Sequence, residues 1–162
     1  MVIKESLRVV LSAEVTKLHP KDLTPREEEV LRSLHTGSNK TIADRMGISE
    51  HTVRAHLRSF FAKTGIHSRG EAFIWGMKNG MVDIEKAVEG RDIRLVNKLT
   101  HRNKEVFEEF IGNGFNYKKT KDRLRISFST IKGHAYKTRY ILGAENNIQA
   151  GVIFMAARGR EK

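Results

Sequence analysis

The side chains best suited to chemistry in this sequence share one face of a predicted helix at residues 50–64. At helical spacing that face carries His51, Arg54, Ala55 and Arg58. Arginine donates hydrogen bonds to guanine edges or to phosphates, and the small side chain of Ala55 allows a helix to approach a groove closely. Because the opposite side of the same helix is apolar, we predict that it packs on a small core while this face contacts a polyanion.

More groups that could hold phosphate flank this face. They are polar or charged residues near predicted helix starts, where backbone N–H groups and side chains bind anions. The residues are Asn39, Lys40, Ser49 and Thr52. Together with the face, they predict a site for double-stranded DNA.

The remaining reactive residue types predict no catalytic or metal site. The chain has no cysteine, and none of its seven histidines lies in a His-Glu-x-x-His pattern. His56 and His134 lie 78 residues apart (134 − 56) in similar surroundings, which favours a packing or backbone-bonding role for both. No paired carboxylates or activated serine stand out. We therefore expect neither an enzyme nor a cofactor.

The composition favours a polyanionic partner. Lys and Arg total 30 against 19 Asp and Glu, which gives a net charge of +11 and a pI near 10.1. No apolar run reaches the roughly 20 residues that a membrane helix needs. Lack of cysteine suits a reducing compartment. We expect a cytoplasmic protein at the nucleoid.

Capping signals divide the first half of the sequence into four helices. Thr24-Pro25-Arg26-Glu27 predicts a capping box with proline at the first helical position. Further starts and stops are expected from N-cap residues and glycines. They are Asn39 and Gly47 for the second helix, Ser49 and Gly65 for the third, and Ser68 and Gly80 for the fourth.

The same pattern recurs later in the chain. Leu23-Thr24 matches Leu99-Thr100 at an offset of 76 (99 − 23), and Thr52-Val53 matches Thr130-Ile131 at an offset of 78 (130 − 52). The second set of helix signals is Thr100, Asn116, Ser127, Gly143, Asn146 and Gly159. The repeat indicates a duplicated domain rather than a solenoid, which needs at least three units.

The second copy has its own predicted groove face. Its members are polar, basic or small: Ser129, Thr130, Lys132, Gly133 and Tyr136, with Lys118 and Lys119 beside them. Tyrosine can donate to a phosphate or rest on a sugar. Gly133 costs roughly 1 kcal/mol of helix stability relative to alanine.

Five motifs of the first copy resemble the LuxR-type (GerE-like) helix-turn-helix domain. They are Leu23-Thr24-Pro25-Arg26-Glu27, Asn39-Lys40-x-Ile42-Ala43, Gly47-Ile48-Ser49, Thr52-Val53-Arg54-x-His56 and Ser68-Arg69-x-Glu71-Ala72. The resemblance implies four helices, with the third reading DNA and the fourth often forming a dimer contact. It implies base reading by Arg54, Ala55 and Arg58, and backbone contacts near Lys40, Glu50, His51 and Thr52. It also places Ala72, Ile74, Trp75 and Met77 on or near the surface of the fourth helix.

The second copy, Leu99 to about Arg158, is similar to a divergent member of that family. Lys121 stands where the family has alanine, and it would spread the helices unless its side chain extends outward. Thr138 and Arg139 replace two phenylalanines, so the third helix is less apolar. These departures weaken the expectation that the second copy reads a specific sequence.

We therefore predict an all-α chain of two four-helix LuxR-type domains in tandem. The expected parts are an amphipathic segment at 1–20, domains at 21–80 and 99–162, and a short helical linker at 81–98. Only about 22 residues precede the first copy of the pattern at Leu23, and we expect these to be too few for a receiver or sensor domain. Control by abundance or by a partner protein is expected instead.

The predicted function is that of a sequence-specific DNA-binding transcription regulator, with the third helix of each repeat in a major groove. Two alternatives remain open. The second repeat could bind a protein, either RNA polymerase or another regulator, or the chain could bind nucleic acid nonspecifically. The fourth helices, near Trp75 and Ile153, are expected to pack together in a homodimer or an intramolecular pseudo-dimer.

Overall fold

The computed structural model describes residues 20–160, and within this range the chain is helical with no β-strand. Its internal contacts divide these residues into two units, 20–83 and 84–160. The amphipathic segment predicted at 1–20 lies outside the described residues, apart from its last position. No helix in the described range is long and apolar enough to cross a membrane.

The first unit contains four α-helices in the predicted order. They are α1 (Pro25–Arg32), α2 (Asn39–Met46), α3 (Glu50–Thr64) and α4 (Arg69–Lys78). Short 3-10 turns at Pro20–Asp22 and Leu34–Thr36 complete the unit. Helices α1 and α2 both pack against α3.

Local sequence explains where α1 and α3 begin and end. The Thr24 hydroxyl accepts from the Glu27 amide and the Glu27 carboxylate accepts from the Thr24 amide, so the predicted capping box is confirmed. Ser49 caps α3 through the Thr52 amide at 3.0 Å, and Gly65 ends it in the left-handed conformation, φ 71°.

The start of α2 differs from the prediction by one residue. Ser38, not Asn39, is the N-cap, and its hydroxyl accepts from the Thr41 amide at 3.2 Å. Asn39 is the first helical residue, and its side-chain oxygen accepts from the Arg69 guanidinium. Either residue type caps a helix well, and the long-range bond from Arg69 engages the Asn39 amide group.

Aromatic and branched side chains form the core of the first unit. Val30, Val53 and Phe60 are completely buried. The ring of Phe60 meets that of Trp75 edge-on, with centroids 5.2 Å apart. This contact joins α3 to α4, since edge-to-face rings add to the energy of burial.

The second unit contains two short elements followed by four longer helices. The short elements are α5 (Ile84–Ala87) and a 3-10 turn at Ile93–Lys98. The longer helices are α6 (His101–Gly112), α7 (Tyr117–Leu124), α8 (Phe128–Leu142) and α9 (Asn147–Arg160). The caps predicted at Thr100, Asn116, Ser127 and Gly143 are confirmed.

Two expectations for this unit need correction. The linker predicted at 81–98 is not one helix, because Gly90 takes φ 75° between the two short elements. Val88 and Val96 are buried, and both short elements pack on α9. Most of this segment therefore belongs to the second unit. Gly159 does not end the last helix, which runs through it to Arg160.

The predicted surface on the fourth helices is buried. Ala72 and Ile74 are completely buried, and Trp75 and Ile153 are each 1% exposed. Only Met77 of this set is half-buried. Apart from Met77, these side chains are core positions rather than a free surface. Their assignment to a dimer or inter-repeat contact stays a prediction.

Candidate nucleic-acid interface

Helix α3 has one buried side and one exposed side, as the sequence pattern predicts. Val53, Leu57 and Phe60 are buried. On the other side, the four residues predicted to face the groove are all exposed: His51, Arg54, Ala55 and Arg58. The helix thus presents two arginines and a small residue to solvent over two turns, which suits entry into a major groove.

A buried carboxylate holds α3 against α1. Glu27 is 2% exposed, and its oxygens accept from Ser59 Oγ at 2.5 Å and from Lys63 Nζ at 2.7 Å. Burial raises the pKa of Glu27, but the hydrogen bonds from Lys63, Ser59 and Thr24 outweigh it and lower the pKa to about 2. Glu27 therefore stays ionised at neutral pH and fixes the position of the exposed face.

A second polar network joins the start of α2 to the start of α4. The Arg69 guanidinium donates to Asn39 Oδ1 and to the backbone carbonyls of Leu34 and Gly37. Burial lowers the pKa of Arg69 from its ordinary value. Asn39 is half-buried and its side-chain oxygen is bonded to Arg69. Its observed role is therefore to hold the start of α2 in place, and contact with a phosphate stays a prediction.

The other predicted residues of the first unit surround the exposed face. Lys40 is exposed at the start of α2, and Glu50 and Thr52 are half-buried in the first turn of α3. Glu50 forms an ion pair with Arg54 one helical turn later. Such a pair at the surface contributes little stability, so Arg54 can exchange this partner for a base or phosphate at small cost.

The corresponding face of α8 in the second unit has a different chemistry. The predicted residues that lie exposed are Lys118, Lys119, Ser129, Thr130, Lys132, Gly133 and Tyr136. Ile131, Ala135 and Leu142 form the buried side of the same helix. Helix α8 therefore has an exposed face, as predicted. At the offset of 78, Tyr136 stands in the place of Arg58, and Gly133 stands in the place of Ala55.

Lysine at position 121 does not force the helices apart. Its ammonium group extends outward and lies 5.6 Å from the centre of the exposed Phe128 ring. Thr120, one residue earlier, is completely buried, and its hydroxyl donates to the Asn116 carbonyl at 2.8 Å.

His134 bonds to a side chain, whereas the sequence predicts a packing or backbone-bonding role. Its Nδ1 lies 3.0 Å from the side-chain oxygen of Asn103 on α6. Burial, with the positive charges of Arg102 and Lys137, lowers the pKa of His134. The position equivalent to Glu27 is Asn103, so α6 and α8 are joined here by neutral groups instead of an ion pair.

The comparisons with known proteins decide the family of the first unit. A family model for bacterial regulatory proteins of the luxR family, GerE, matches residues 21–75. Residues 21–75 are a LuxR-type helix-turn-helix domain. The match contains α1, α2 and α3 and ends within α4, and α3 carries the exposed face.

Several bacterial regulators are similar to part of this chain. The nitrate/nitrite response regulator protein NarL of Escherichia coli K12 is 38% identical over 82 residues, which cover 46% of this chain and 38% of NarL. A nitrate/nitrite response regulator homolog of Haemophilus influenzae is 40% identical over 76 residues, 46% of this chain and 36% of that protein. The CsgBAC operon regulator of Escherichia coli K12 is 43% identical over 58 residues, 35% and 27% of the two chains. This chain thus spans well under half the length of these relatives. No solved structure matches.

Two exposed aromatic residues outside the LuxR-type domain are absent from the predicted site. Tyr140 is 78% exposed, the highest value among large hydrophobic side chains in the described range, and Phe128 is 44% exposed. Tyr140 follows Tyr136 by four residues, a spacing that already predicts a shared helix face.

Between residues 20 and 160, no group of three metal-binding side chains comes together.

Proposed function

We propose that this chain is a DNA-binding transcription regulator whose LuxR-type domain reads duplex DNA with α3. One observation supports this most: the family match covers the unit in which His51, Arg54, Ala55 and Arg58 are exposed on one helix face. A helix with arginines on its outer face can hydrogen-bond to guanine O6 and N7 in the major groove.

The way α3 is held supports the same function. Specific reading of bases requires that the rest of the domain hold the recognition helix rigidly, because a mobile helix makes weaker base contacts. The Glu27 contacts to Ser59 and Lys63 and the Ser49 cap fix α3 at both ends. Lys40 lies exposed at the start of α2, where a helix N-terminus and a lysine suit a phosphate.

We extend the proposal to the second unit only in part. Its cap residues Thr100 and Ser127 and the left-handed Gly143 support descent from a LuxR-type copy. Tyr136 on α8 replaces Arg58 of α3 by the repeat alignment, which removes a guanidinium from the face. We therefore keep four statements as predictions. They are the reading of a second half-site by α8, pairing as a homodimer or pseudo-dimer, binding to RNA polymerase, and a cytoplasmic location.

Selection of binding sites from a random duplex library tests the proposal. The wild-type chain should enrich one motif, and Arg54→Ala should lose preference at particular base pairs, with about 5- to 150-fold weaker binding to the selected site. Lys40→Ala should weaken all duplexes alike and reduce the slope of log affinity against log salt by about 0.9. The exposed Arg91 of the second unit provides a charge-matched control, Arg91→Ala.

The outcomes separate the competing functions. An unchanged motif and affinity in Arg54→Ala would show that α3 does not read bases. Two half-sites, one lost in Arg54→Ala and the other in Lys132→Ala, would establish a tandem reader. No enriched motif, with equal binding to all duplexes, would favour the nonspecific alternative.

A further inference from the structure

We propose that the exposed face of α8 binds single-stranded nucleic acid. In this interaction, bases stack on the rings of Tyr136 and Tyr140, and the surrounding lysines hold the phosphates. The inference concerns the second unit and does not require α3 to read duplex DNA.

The two tyrosine rings form an exposed aromatic surface. Tyr136 is 64% exposed and Tyr140 is 78% exposed. Their centroids are 6.5 Å apart and their planes differ by 19°, so the rings stand nearly parallel on successive turns of α8. Aromatic rings usually bury most of their area. Two parallel rings left in solvent provide faces on which planar groups can stack.

Positive charge lies on the helix that carries these rings and on its neighbour. Helix α8 contains Lys132, Lys137 and Arg139 and no acidic residue. The Arg139 guanidinium lies 6.0 Å from the centre of the Tyr136 ring. The basic residues Lys118 and Lys119 are exposed on α7, which packs against α8. A basic surface with interleaved aromatic rings is the usual composition of a single-strand binding site.

The comparison with α3 distinguishes this face from a duplex reader. By the repeat offset of 78, Arg58 corresponds to Tyr136 (136 − 58) and Ala62 to Tyr140 (140 − 62). A duplex hides the faces of its bases in the stack and offers only their edges, which arginine reads better than tyrosine does. A single strand exposes base faces, so stacking becomes available.

Gly133 leaves space for a ligand beside the rings. A Cβ added at Gly133 would have no other side chain within 4 Å, so neither packing nor backbone conformation requires glycine there. Its place on the exposed face, one turn before Tyr136 and Lys137, allows a base or sugar to approach the backbone.

Fluorescence anisotropy with three labelled probes tests the proposal. The probes are a 12-nucleotide oligothymidylate, the corresponding oligouridylate and a 12-base-pair duplex. The protein is the full chain carrying Arg54→Ala and Arg58→Ala, so that α3 contributes little. We expect tighter binding to both single strands than to the duplex, and the ratio of the two single strands identifies DNA or RNA as the preferred source.

Paired variants separate stacking from other contacts. Tyr136→Ala and Tyr140→Ala should each weaken single-strand binding at least fivefold, because stacking on one ring accounts for that much or more. Tyr136→Phe and Tyr140→Phe keep the rings and should bind within twofold of the parent. Lys132→Ala should reduce the salt slope by about 0.7, whereas Arg91→Ala should not.

Three results would overturn the inference: duplex binding at least as tight as single-strand binding, unchanged affinity in the two alanine variants, or equal losses in the phenylalanine variants. Circular dichroism of each variant verifies that α8 is intact. A negative result for single-strand binding would leave the proposal for α3 untouched. The selection experiment measures which duplex sequence is enriched, and it uses the chain with Arg54 and Arg58 present.

Discussion

Replacing Glu27 with glutamine should destabilise the first unit by about 2 to 3 kcal/mol at neutral pH. The Glu27 side chain is 2% exposed and accepts from the Thr24 amide at 2.8 Å, from Ser59 and from Lys63. These bonds lower the pKa from 4.5 to about 2 against the opposing effect of burial. At about 1.4 kcal/mol per tenfold change in proton affinity, the ionised form stabilises the fold by about 3 kcal/mol.

The contribution of Glu27 depends on pH in a known direction. A carboxyl group with a lowered folded-state pKa stabilises the fold above its unfolded pKa, 4.5, and loses this effect as the pH falls towards about 2. Between pH 7 and pH 3, the wild type should therefore lose about 2 kcal/mol from this group. Glu27→Gln lacks the titrating group, so its stability should fall less over the same interval.

Urea unfolding followed by tryptophan fluorescence measures both effects. Trp75 is the single tryptophan, is 1% exposed and contacts Phe60, so it reports on the first unit. Glu29→Gln is the matched control, because Glu29 lies on the same helix in an exposed pair with Arg26 and should contribute below about 1 kcal/mol. Equal stabilities of the two variants at pH 7, or a constant difference down to pH 3, would refute the reasoning.

Four further substitutions have expected outcomes. Arg69→Lys should cost about 2 kcal/mol in the same fluorescence assay, since an ammonium cannot replace three guanidinium hydrogen bonds. Ser127→Ala should cost about 1 kcal/mol by removing the cap of α8, measured by circular dichroism during urea unfolding. Gly133→Ala should stabilise α8 by about 1 kcal/mol in that assay. Thr138→Val should stabilise the second unit by about 1 kcal/mol, because the buried Thr138 hydroxyl has no hydrogen-bond partner within the described residues.

Features set by a few neighbouring residues were predictable from the sequence. The capping box at Thr24, the Ser49 cap and the left-handed Gly65 all depend on side chains within one helical turn. The exposed face of α3 was also predictable, because helical spacing alone separates Arg54 and Arg58 from the apolar side. Contact of these residues with DNA stays a prediction.

Features set by distant contacts were not predictable in the same way. Ser38 and Asn39 are both good caps, and the choice between them involves Arg69, which lies 30 residues further along the chain. The sequence predicts a short helical linker at 81–98, but Val88 and Val96 are buried in the second unit. The partners of Glu27 lie 32 and 36 residues away on α3, so its role beyond the cap required the fold.

Gly133 connects stability with binding on α8. An exposed glycine inside a helix costs about 1 kcal/mol relative to alanine, and no packing contact offsets this cost. If Gly133 lowers the stability of α8 and has no role in binding, Gly133→Ala should raise stability and leave single-strand affinity unchanged. If a base or sugar approaches the backbone beside Tyr136, the same substitution should raise stability while weakening single-strand binding. Raised stability with weaker single-strand binding would therefore support a ligand at this face, and raised stability with unchanged affinity would show that Gly133 takes no part in binding.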